Sequence, residues 1–215
     1  MKIDKIILEL KEILKDDDMI ELSNLISKLE QEYKESKFIN NVSDKTKINT
    51  IKKILDSAGK VRPILGCFSR QDEYTCITDS YEAYYLKDNV LPFNYAKSDN
   101  ITNEDDYIKE NNLKVVEGRY PNLLSFININ KDYTILEYKV DDILKLEKVT
   151  PANDLKKKVY KFNDDLVLDL VYLKNCIKIL QLKDTINIEF YGEFKPVLIR
   201  NDKQEIGLII PIKQY

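Results

Sequence analysis

The side chains that could carry chemistry in this sequence are carboxylates, lysines and three cysteines, because histidine is absent. Without histidine there is no Ser–His or Cys–His nucleophile pair, no imidazole general base and no imidazole metal ligand. The 5 glycines form neither a GxxxxGK(S/T) phosphate loop nor a GxGxxG turn. We therefore expect a non-enzymatic binding or structural protein without a cofactor. A carboxylate-dependent enzyme stays open as an alternative.

Neighbouring acidic residues occur at several places and could in principle bind a metal ion. Adjacent carboxylates on a strand point to opposite faces of the sheet, so such pairs make poor chelates. We interpret them as charge-rich turns and expect no metal site. These groups include Glu104-Asp105-Asp106, Asp141-Asp142 and Asp164-Asp165.

The cysteines, Cys67, Cys76 and Cys176, are an odd and scattered set without a CxxC spacing. They therefore do not predict a disulfide framework. Each lies in an apolar pattern, which predicts buried thiols in a reducing, cytoplasmic chain.

Lysines are concentrated on two segments that have helical spacing. Lys174 and Lys178 are four residues apart, and no acidic residue lies between 171 and 183. The other segment, 44–60, has lysines at Lys45, Lys47, Lys52, Lys53 and Lys60. Two basic helices could present a face to an anionic partner, although lysines also populate ordinary exposed helix faces.

The overall charge limits the classes of partner. Across 215 residues, 34 Lys and Arg stand against 37 Asp and Glu, for a net charge of -3. A uniformly basic nucleic-acid-binding protein is therefore excluded, while a local basic face is not. No apolar run is long enough to cross a bilayer, and the charged start is not a signal peptide, so we expect no membrane partner.

The N-terminal residues predict a separate helical appendage. Apolar residues at helical spacing within 1–37 predict two helices joined by the acidic turn Asp16-Asp17-Asp18. We assign the hairpin to residues 1–41, which hold the acidic surplus of the chain. The polar segment 36–43 marks the boundary.

Residues 42–215 predict an α+β region. A helix followed by three strands occurs at 44–87 and again at 171–212, which suggests a duplicated module with halves at 42–122 and 130–215. Further helices are predicted at 140–146 and, as one short helix, inside the otherwise irregular stretch 88–118, and 150–158 is predicted as a loop. The predicted strands span 63–68, 74–78, 81–86, 123–129, 133–138, 159–162, 166–170, 186–191, 196–200 and 207–212.

The C-terminal residues 190–215 read FYGEFKPVLIRNDKQEIGLIIPIKQY, with a KPV-I segment, a turn, and a closing strand that has a hydrophobic-Pro-hydrophobic motif. This order resembles the C-terminal end of bacterial sliding clamps, the β subunit of DNA polymerase III. The segment 168–173, LDLVYL, is similar to a strand-to-helix element of the same clamp domain. In the first half, RPIL at 62–65, TDS at 78–80 and YPN at 120–122 are similar to segments of a clamp's first domain.

The resemblance implies a DNA-clamp-like fold but not a ring around DNA. A bacterial clamp chain carries three such domains and pairs to close its ring, and this chain is shorter. The hairpin at 1–37 has no counterpart in the family, and Lys213-Gln214-Tyr215 departs from the family's usual basic residue and leucine. Either several copies assemble as a homo-oligomer, or the chain is a shortened, phage-type module with another role.

The resemblance also implies which residues meet the partners. Clamps contact DNA phosphates through helix lysines, and the matching residues here are Lys52, Lys53, Lys174 and Lys178. Clamps dock short hydrophobic peptides against their closing strand. The matching residues are Leu208, Ile210, Pro211 and Ile212, with the alternative that this strand fills the core.

We therefore expect a non-enzymatic, clamp-like protein of DNA replication or repair. Its expected partners are double-stranded DNA, a peptide of a replication or repair protein, or both. The alternative is a protein–protein interaction module that keeps the clamp fold without binding DNA and acts through the acidic 1–37 hairpin.

Overall fold

The computed structural model describes residues 26, 29, 42–87, 90–98, 104–127, 132–145, 159–162, 166–192 and 195–212. The hairpin predicted over 1–37 lies outside the described residues except at Ile26 and Leu29, which are helical. The loop predicted at 150–158 also lies outside them. The chain divides into two compact units, Met1–Lys45 and Thr46–Tyr215. None of the described helices combines the length and the apolar character that a membrane span requires.

Between residues 42 and 212, the described residues form both helices and strands. The helices are α1 (Val42–Val61), α2 (Glu104–Glu110), α3 (Val140–Lys145) and α4 (Leu170–Ile179), and two 3-10 helices span Pro63–Gly66 and Leu124–Phe126. The strands are β1 (Ser69–Gln71), β2 (Tyr74–Thr78), β3 (Glu82–Leu86), β4 (Tyr95–Ser98), β5 (Val115–Tyr120), β6 (Thr134–Lys139), β7 (Val159–Lys161), β8 (Val167–Asp169), β9 (Thr185–Phe190), β10 (Val197–Arg200) and β11 (Ile206–Ile209).

Seven strands form one antiparallel sheet in the order β1-β2-β3-β11-β10-β9-β6. Its middle is the pairing of β3 with β11, in which Ala83 lies opposite Leu208 and Tyr84 opposite Gly207. This pairing joins strands that are far apart in the sequence. The remaining strands form a parallel pair, β4 with β5, and an antiparallel pair, β7 with β8. The mixed helix-and-sheet class that the sequence predicts is therefore observed, and the duplication of a module stays a prediction.

Both faces are covered in the middle of the sheet, where successive side chains of β11 point to opposite sides. On one face, Ile206 and Leu208 of β11 join a buried cluster with Ala58 of α1. On the other face, Gly207 packs so closely on α4 that a Cβ atom there would lie 2.5 Å from Sγ of Cys176. The glycine therefore lets α4 approach the middle of the sheet.

A buried ion pair connects α1 to the residue that precedes β11. Nζ of Lys47 lies 3.0 Å from Oε1 of Glu205, and both side chains are almost fully buried. The same carboxylate accepts a hydrogen bond from Nδ2 of Asn201 at 2.8 Å. The lysine is therefore part of the packing of α1 and is not exposed on the surface of that helix.

Two segments that were predicted as strands, 63–68 and 123–129, contain 3-10 helices instead. Pro63 begins the first one, since its ring fixes φ and removes the N–H that a strand would donate. The Leu65 N–H donates to the Arg62 carbonyl at 2.9 Å, and the Phe126 N–H donates to the carbonyl of residue 123 at 3.0 Å. The backbone turns within three residues in both places, which an apolar run does not reveal.

The sequence also did not predict strands β1, β4 and β5. Strand β4 lies within 88–118 and β5 begins there, although this stretch was predicted to be irregular apart from one short helix; that helix is α2. Most residues of β5 are exposed, so its sequence lacks the apolar alternation that marks a strand. The predicted helices α1, α3 and α4 and the predicted strands β2, β3 and β6 to β11 are confirmed to within a few residues.

Candidate functional site

An open pocket of about 360 Å³ lies beside the pairing of β3 with β11. Its walls come from the 3-10 helix Pro63–Gly66, the β2–β3 turn, the 121–126 loop and the end of β11. The lining residues are Arg62, Ile64, Leu65, Thr78, Ser80, Tyr81, Glu82, Ala83, Arg119, Pro121, Leu123, Phe126, Pro196, Leu208 and Ile210. The pocket therefore forms only when the first strands of the sheet are paired with its last strand.

The rim of the pocket carries large apolar side chains that remain in contact with solvent. Tyr81 is 58% exposed, Phe126 is 48% exposed and Ile210 is 41% exposed. The floor is formed by the buried side chains of Leu65, Ala83, Leu123 and Leu208. Exposed apolar side chains around a concave apolar surface are typical of a binding site for another molecule.

The β2–β3 turn holds Tyr81 at the rim through local hydrogen bonds. Oδ1 of Asp79 accepts from the backbone N–H groups of Tyr81 and Glu82, both at 2.8 Å. Oγ1 of Thr78 donates to the Glu82 carbonyl at 2.7 Å. The Ile210 N–H donates to the Tyr81 carbonyl at 3.0 Å. Two rim residues are therefore connected directly by the backbone.

A buried glutamine holds the loop that presents Phe126. Nε2 of Gln71 donates to the Pro121 carbonyl at 2.7 Å, and its Oε1 accepts from the Leu123 N–H at 2.8 Å. The Tyr85 hydroxyl donates to the Leu123 carbonyl at 2.8 Å. These bonds satisfy the backbone of a loop that has no strand partner, so the position of the loop depends on side chains that are distant in sequence.

One wall of the pocket requires a glycine on the neighbouring strand. Gly118 of β5 has a φ of +126°, and a Cβ atom at this position would lie 3.0 Å from Cδ1 of Ile64. Glycine adopts such a backbone conformation without steric cost. The absence of a side chain here lets β5 pack directly against Ile64, which lines the pocket.

The charged groups of the lining are two arginines, Arg62 and Arg119, and one carboxyl, Glu82. The Glu82 side chain accepts hydrogen bonds from the Tyr84 hydroxyl at 2.5 Å and from Nδ2 of Asn175 at 2.9 Å. Burial outweighs these bonds and raises the pKa of Glu82 to about 8. At neutral pH the Glu82 carboxyl is therefore largely uncharged.

The structure brings two of the four predicted peptide-binding residues to this pocket. Leu208 contributes to the floor and Ile210 to the rim, whereas Pro211 and Ile212 are half-buried and do not line it. The Ile212 N–H donates instead to the Val167 carbonyl at 2.8 Å. The core alternative also applies in part, because Leu208 belongs to the buried cluster under the sheet.

None of the four lysines predicted to contact DNA lines the pocket. Lys52, Lys53 and Lys178 are exposed, and Lys174 is half-buried. Among the residues that the structure describes, no carboxylate forms an ion pair with any of these four. Lys47, another lysine of the basic segment 44–60, is buried against Glu205 as described above.

No functional role was predicted from the sequence for Tyr81, Phe126 or Arg119, which the structure places at the pocket. Nothing in the spacing of these residues links them, since they come from a turn, a 3-10 helix and a strand. The sequence did contain a signal for the location of the pocket, because three segments that resemble those of sliding clamps contribute lining residues. These segments are 62–65, 78–80 and 120–122.

The cysteines and the acidic groups do not form a second site within the described residues. Cys67, Cys76 and Cys176 are buried and free, which confirms the predicted buried thiols. Burial raises the pKa of Cys67 to about 11 and also raises the pKa values of the other two thiols. They are therefore poor nucleophiles at neutral pH. No group of three or more acidic or cysteine side chains in this part of the chain could hold a metal ion.

Comparison with known proteins gives one kind of match. No family model matches the sequence, and no curated protein matches it. The structure is similar to the crystal structure of the DNA polymerase sliding clamp from Bacillus subtilis, with 16% sequence identity and a TM-score of 0.44. The match covers 80% of this chain and 63% of the clamp chain, so this chain spans less than two thirds of that clamp's length. The function of the chain is accordingly a proposal, supported by its own residues.

Proposed function

We propose that this chain is a non-enzymatic, clamp-like protein of DNA replication or repair that docks a short hydrophobic peptide of a partner protein in the pocket beside β3 and β11. One observation carries the proposal. The segments 62–65, 78–80 and 120–122, which resemble parts of sliding clamps, border the same pocket as Leu208 and Ile210 of the closing strand. The resemblance implies a peptide cleft at that strand, and an apolar pocket lies there.

The pocket has the size and surface to hold a large apolar side chain of a peptide. Its volume of about 360 Å³ falls within the range of roughly 300–1,000 Å³ that is usual for ligand pockets. Burying a phenylalanine removes about 150–250 Å² from water, which is worth about 4–6 kcal/mol at ~25 cal/mol per Å². The entropic cost of association offsets much of this free energy. Contacts with the exposed rings of Tyr81 and Phe126 are therefore needed for a measurable affinity.

Fluorescence anisotropy with the labelled peptide acetyl-GDLLFG-amide tests the docking. Phe126→Ala and Ile210→Ala each remove an exposed part of the rim, and we expect each to weaken binding about five- to tenfold. The control is Ile135→Ala, which truncates an exposed side chain of β6 outside the pocket and should leave binding unchanged. Urea unfolding of each variant verifies that it folds.

The peptide acetyl-GDAAAG-amide provides the matched ligand control, because it keeps the backbone and the charge but lacks the apolar anchors. The proposal is wrong if the wild-type chain binds both peptides equally or binds neither. It is also wrong if the two rim variants bind acetyl-GDLLFG-amide as tightly as Ile135→Ala does.

A second candidate function is contact with the DNA backbone through α1 and α4. The observation in its favour is that Lys52, Lys53 and Lys178 expose ammonium groups that no described carboxylate pairs with. Lysines of this kind bind phosphates without reading bases, so the binding would be independent of sequence and would weaken steeply with salt. Peptide docking and DNA contact use different residues and are compatible.

Charge reversal on α4 tests the DNA contact. We expect Lys174→Glu combined with Lys178→Glu to weaken binding to a random duplex and to lower the slope of log affinity against log salt by about two. Lys114→Glu, just before β5, reverses an exposed lysine on another part of the fold and serves as the control. An unchanged affinity and slope in the double variant would remove α4 from the DNA-contacting surface.

A further inference from the structure

Arg62 lies at the edge of the pocket with a fixed backbone and an exposed side chain. Its N–H donates to the Ala58 carbonyl at 2.9 Å, and its carbonyl accepts from the Leu65 N–H at 2.9 Å. No carboxylate among the described residues forms an ion pair with its guanidinium. The backbone of Arg62 is therefore held in place by hydrogen bonds, and its guanidinium N–H groups are available to a ligand.

A second arginine approaches the same wall from the neighbouring strand. Arg119 follows Gly118, whose close contact with Ile64 brings β5 against the pocket. Ile64 thus lies two residues after Arg62 in the chain and contacts the strand that carries Arg119. A peptide whose apolar side chain packs on Ile64 would bind close to Arg62.

The one carboxyl of the lining does not balance this charge. Glu82 and Ala83 are consecutive residues of β3, so their side chains point to opposite faces of the sheet. Ala83 faces the pocket floor, whereas the Glu82 carboxyl is hydrogen-bonded to Tyr84 and to Asn175 of α4. Its side chain is 1% exposed and its raised pKa keeps it largely uncharged at neutral pH. Glu82 therefore does not offset the charge of Arg62 at the rim.

We infer that the peptide docked in this pocket carries a carboxylate beside its apolar anchor, and that Arg62 is the residue that selects it. This inference rests on the proposed function and adds the chemistry of the partner. A guanidinium presents paired N–H donors that match the two oxygens of a carboxylate. Because Arg62 is at the solvent-exposed rim, the contact discriminates between partners more than it adds affinity.

The test compares peptides that differ only in charge at one position. Acetyl-GDLLFG-amide and acetyl-GLLFDG-amide place an aspartate before or after the anchors, and acetyl-GNLLFG-amide and acetyl-GLLFNG-amide are their isosteric neutral partners. We expect the wild-type chain to bind at least one acidic peptide about threefold more tightly than its neutral partner at low salt. The preference should shrink as the salt concentration rises.

The variant Arg62→Gln should bind the acidic and neutral peptides of that pair equally. The control Lys203→Gln removes an exposed positive charge outside the pocket and should keep the threefold preference. Phe126→Ala should weaken binding of both peptides of the pair by the same factor, which separates the apolar anchor from the charge.

The inference and the proposed function fail in different ways. If the wild-type chain binds the acidic and neutral peptides with equal affinity, docking stands and the charge selection is wrong. If Arg62→Gln keeps the full preference, another group selects the carboxylate and the role given to Arg62 is wrong. If none of the four peptides binds, the proposed docking function is overturned and the inference with it.

Discussion

Glu82→Gln is expected to remove a large pH dependence from the stability of the protein. The carboxyl is buried beside Tyr84 and Asn175 with no cation among the groups that act on it, and its pKa rises from an ordinary 4.5 to about 8. Each pH unit of this difference corresponds to about 1.4 kcal/mol. Ionised Glu82 therefore weakens the folded state by about 5 kcal/mol at most, relative to low pH.

The sign follows from which state ionises first. Below pH 4.5 the carboxyl is protonated in both states, and its contribution to stability is fully present. As the pH rises, the unfolded chain ionises while folded Glu82 keeps its proton, so stability is lost progressively until about pH 8. The glutamine variant keeps an acceptor oxygen for Asn175, places an amide N–H group toward the Tyr84 hydroxyl, and has no acidic proton to lose. Its stability advantage over the wild-type chain should grow through this window.

Urea unfolding of the wild-type chain and of Glu82→Gln across this pH range measures the difference. Other titrating groups contribute equally to both proteins, so they cancel in the comparison. Glu110→Gln changes an exposed carboxyl at the end of α2 and should give a curve parallel to the wild type. The assignment is refuted if the difference between Glu82→Gln and wild type stays constant from pH 5 to pH 8.

Two further substitutions probe the packing that supports the pocket. Gly207→Ala should destabilise the protein by about 1–3 kcal/mol, because the new methyl group would lie 2.5 Å from Sγ of Cys176. Thermal unfolding should show that adding Cys176→Ala to the same chain recovers part of this lost stability. Lys47→Met should cost about 3–5 kcal/mol, because it leaves the buried Glu205 carboxylate without its cation. Replacing Glu205 by Gln as well should restore much of that stability in urea unfolding, and a Lys47→Met variant as stable as wild type would contradict the buried ion pair.

The helices and strands that were predicted correctly are those in which the spacing of apolar residues within the segment itself indicates which side chains are buried. Helix α1 has one buried stripe, and strands β9, β10 and β11 are apolar runs separated by turn residues. The failures occur where distant side chains decide the local backbone. The 121–126 loop is held by Gln71, and no pattern within the loop itself indicates that it turns instead of extending.

The candidate site was predictable to the extent that its residues belong to recognisable segments. Leu208 and Ile210 could be assigned because they lie on the closing strand of a motif that resembles a clamp. Tyr81 and Phe126 could not be assigned, because their place at the rim depends on the pairing of β3 with β11 and on the Gln71 side chain. The burial of Lys47 could not be predicted from its neighbours in sequence either, since its partner, Glu205, lies 158 residues away.

The location of the pocket couples binding to the closure of the sheet. Leu208 lies opposite Ala83, and the Ile210 N–H donates to Tyr81, so the floor and the rim both span the contact between β3 and β11. A peptide that touches both strands can bind only while they are paired. By mass action, such a ligand stabilises the paired state by about 2.7 kcal/mol at a free concentration of 100 Kd. A docked partner would therefore stabilise the pairing of β3 with β11, which joins β1, β2 and β3 to the remaining four strands of the seven-stranded sheet.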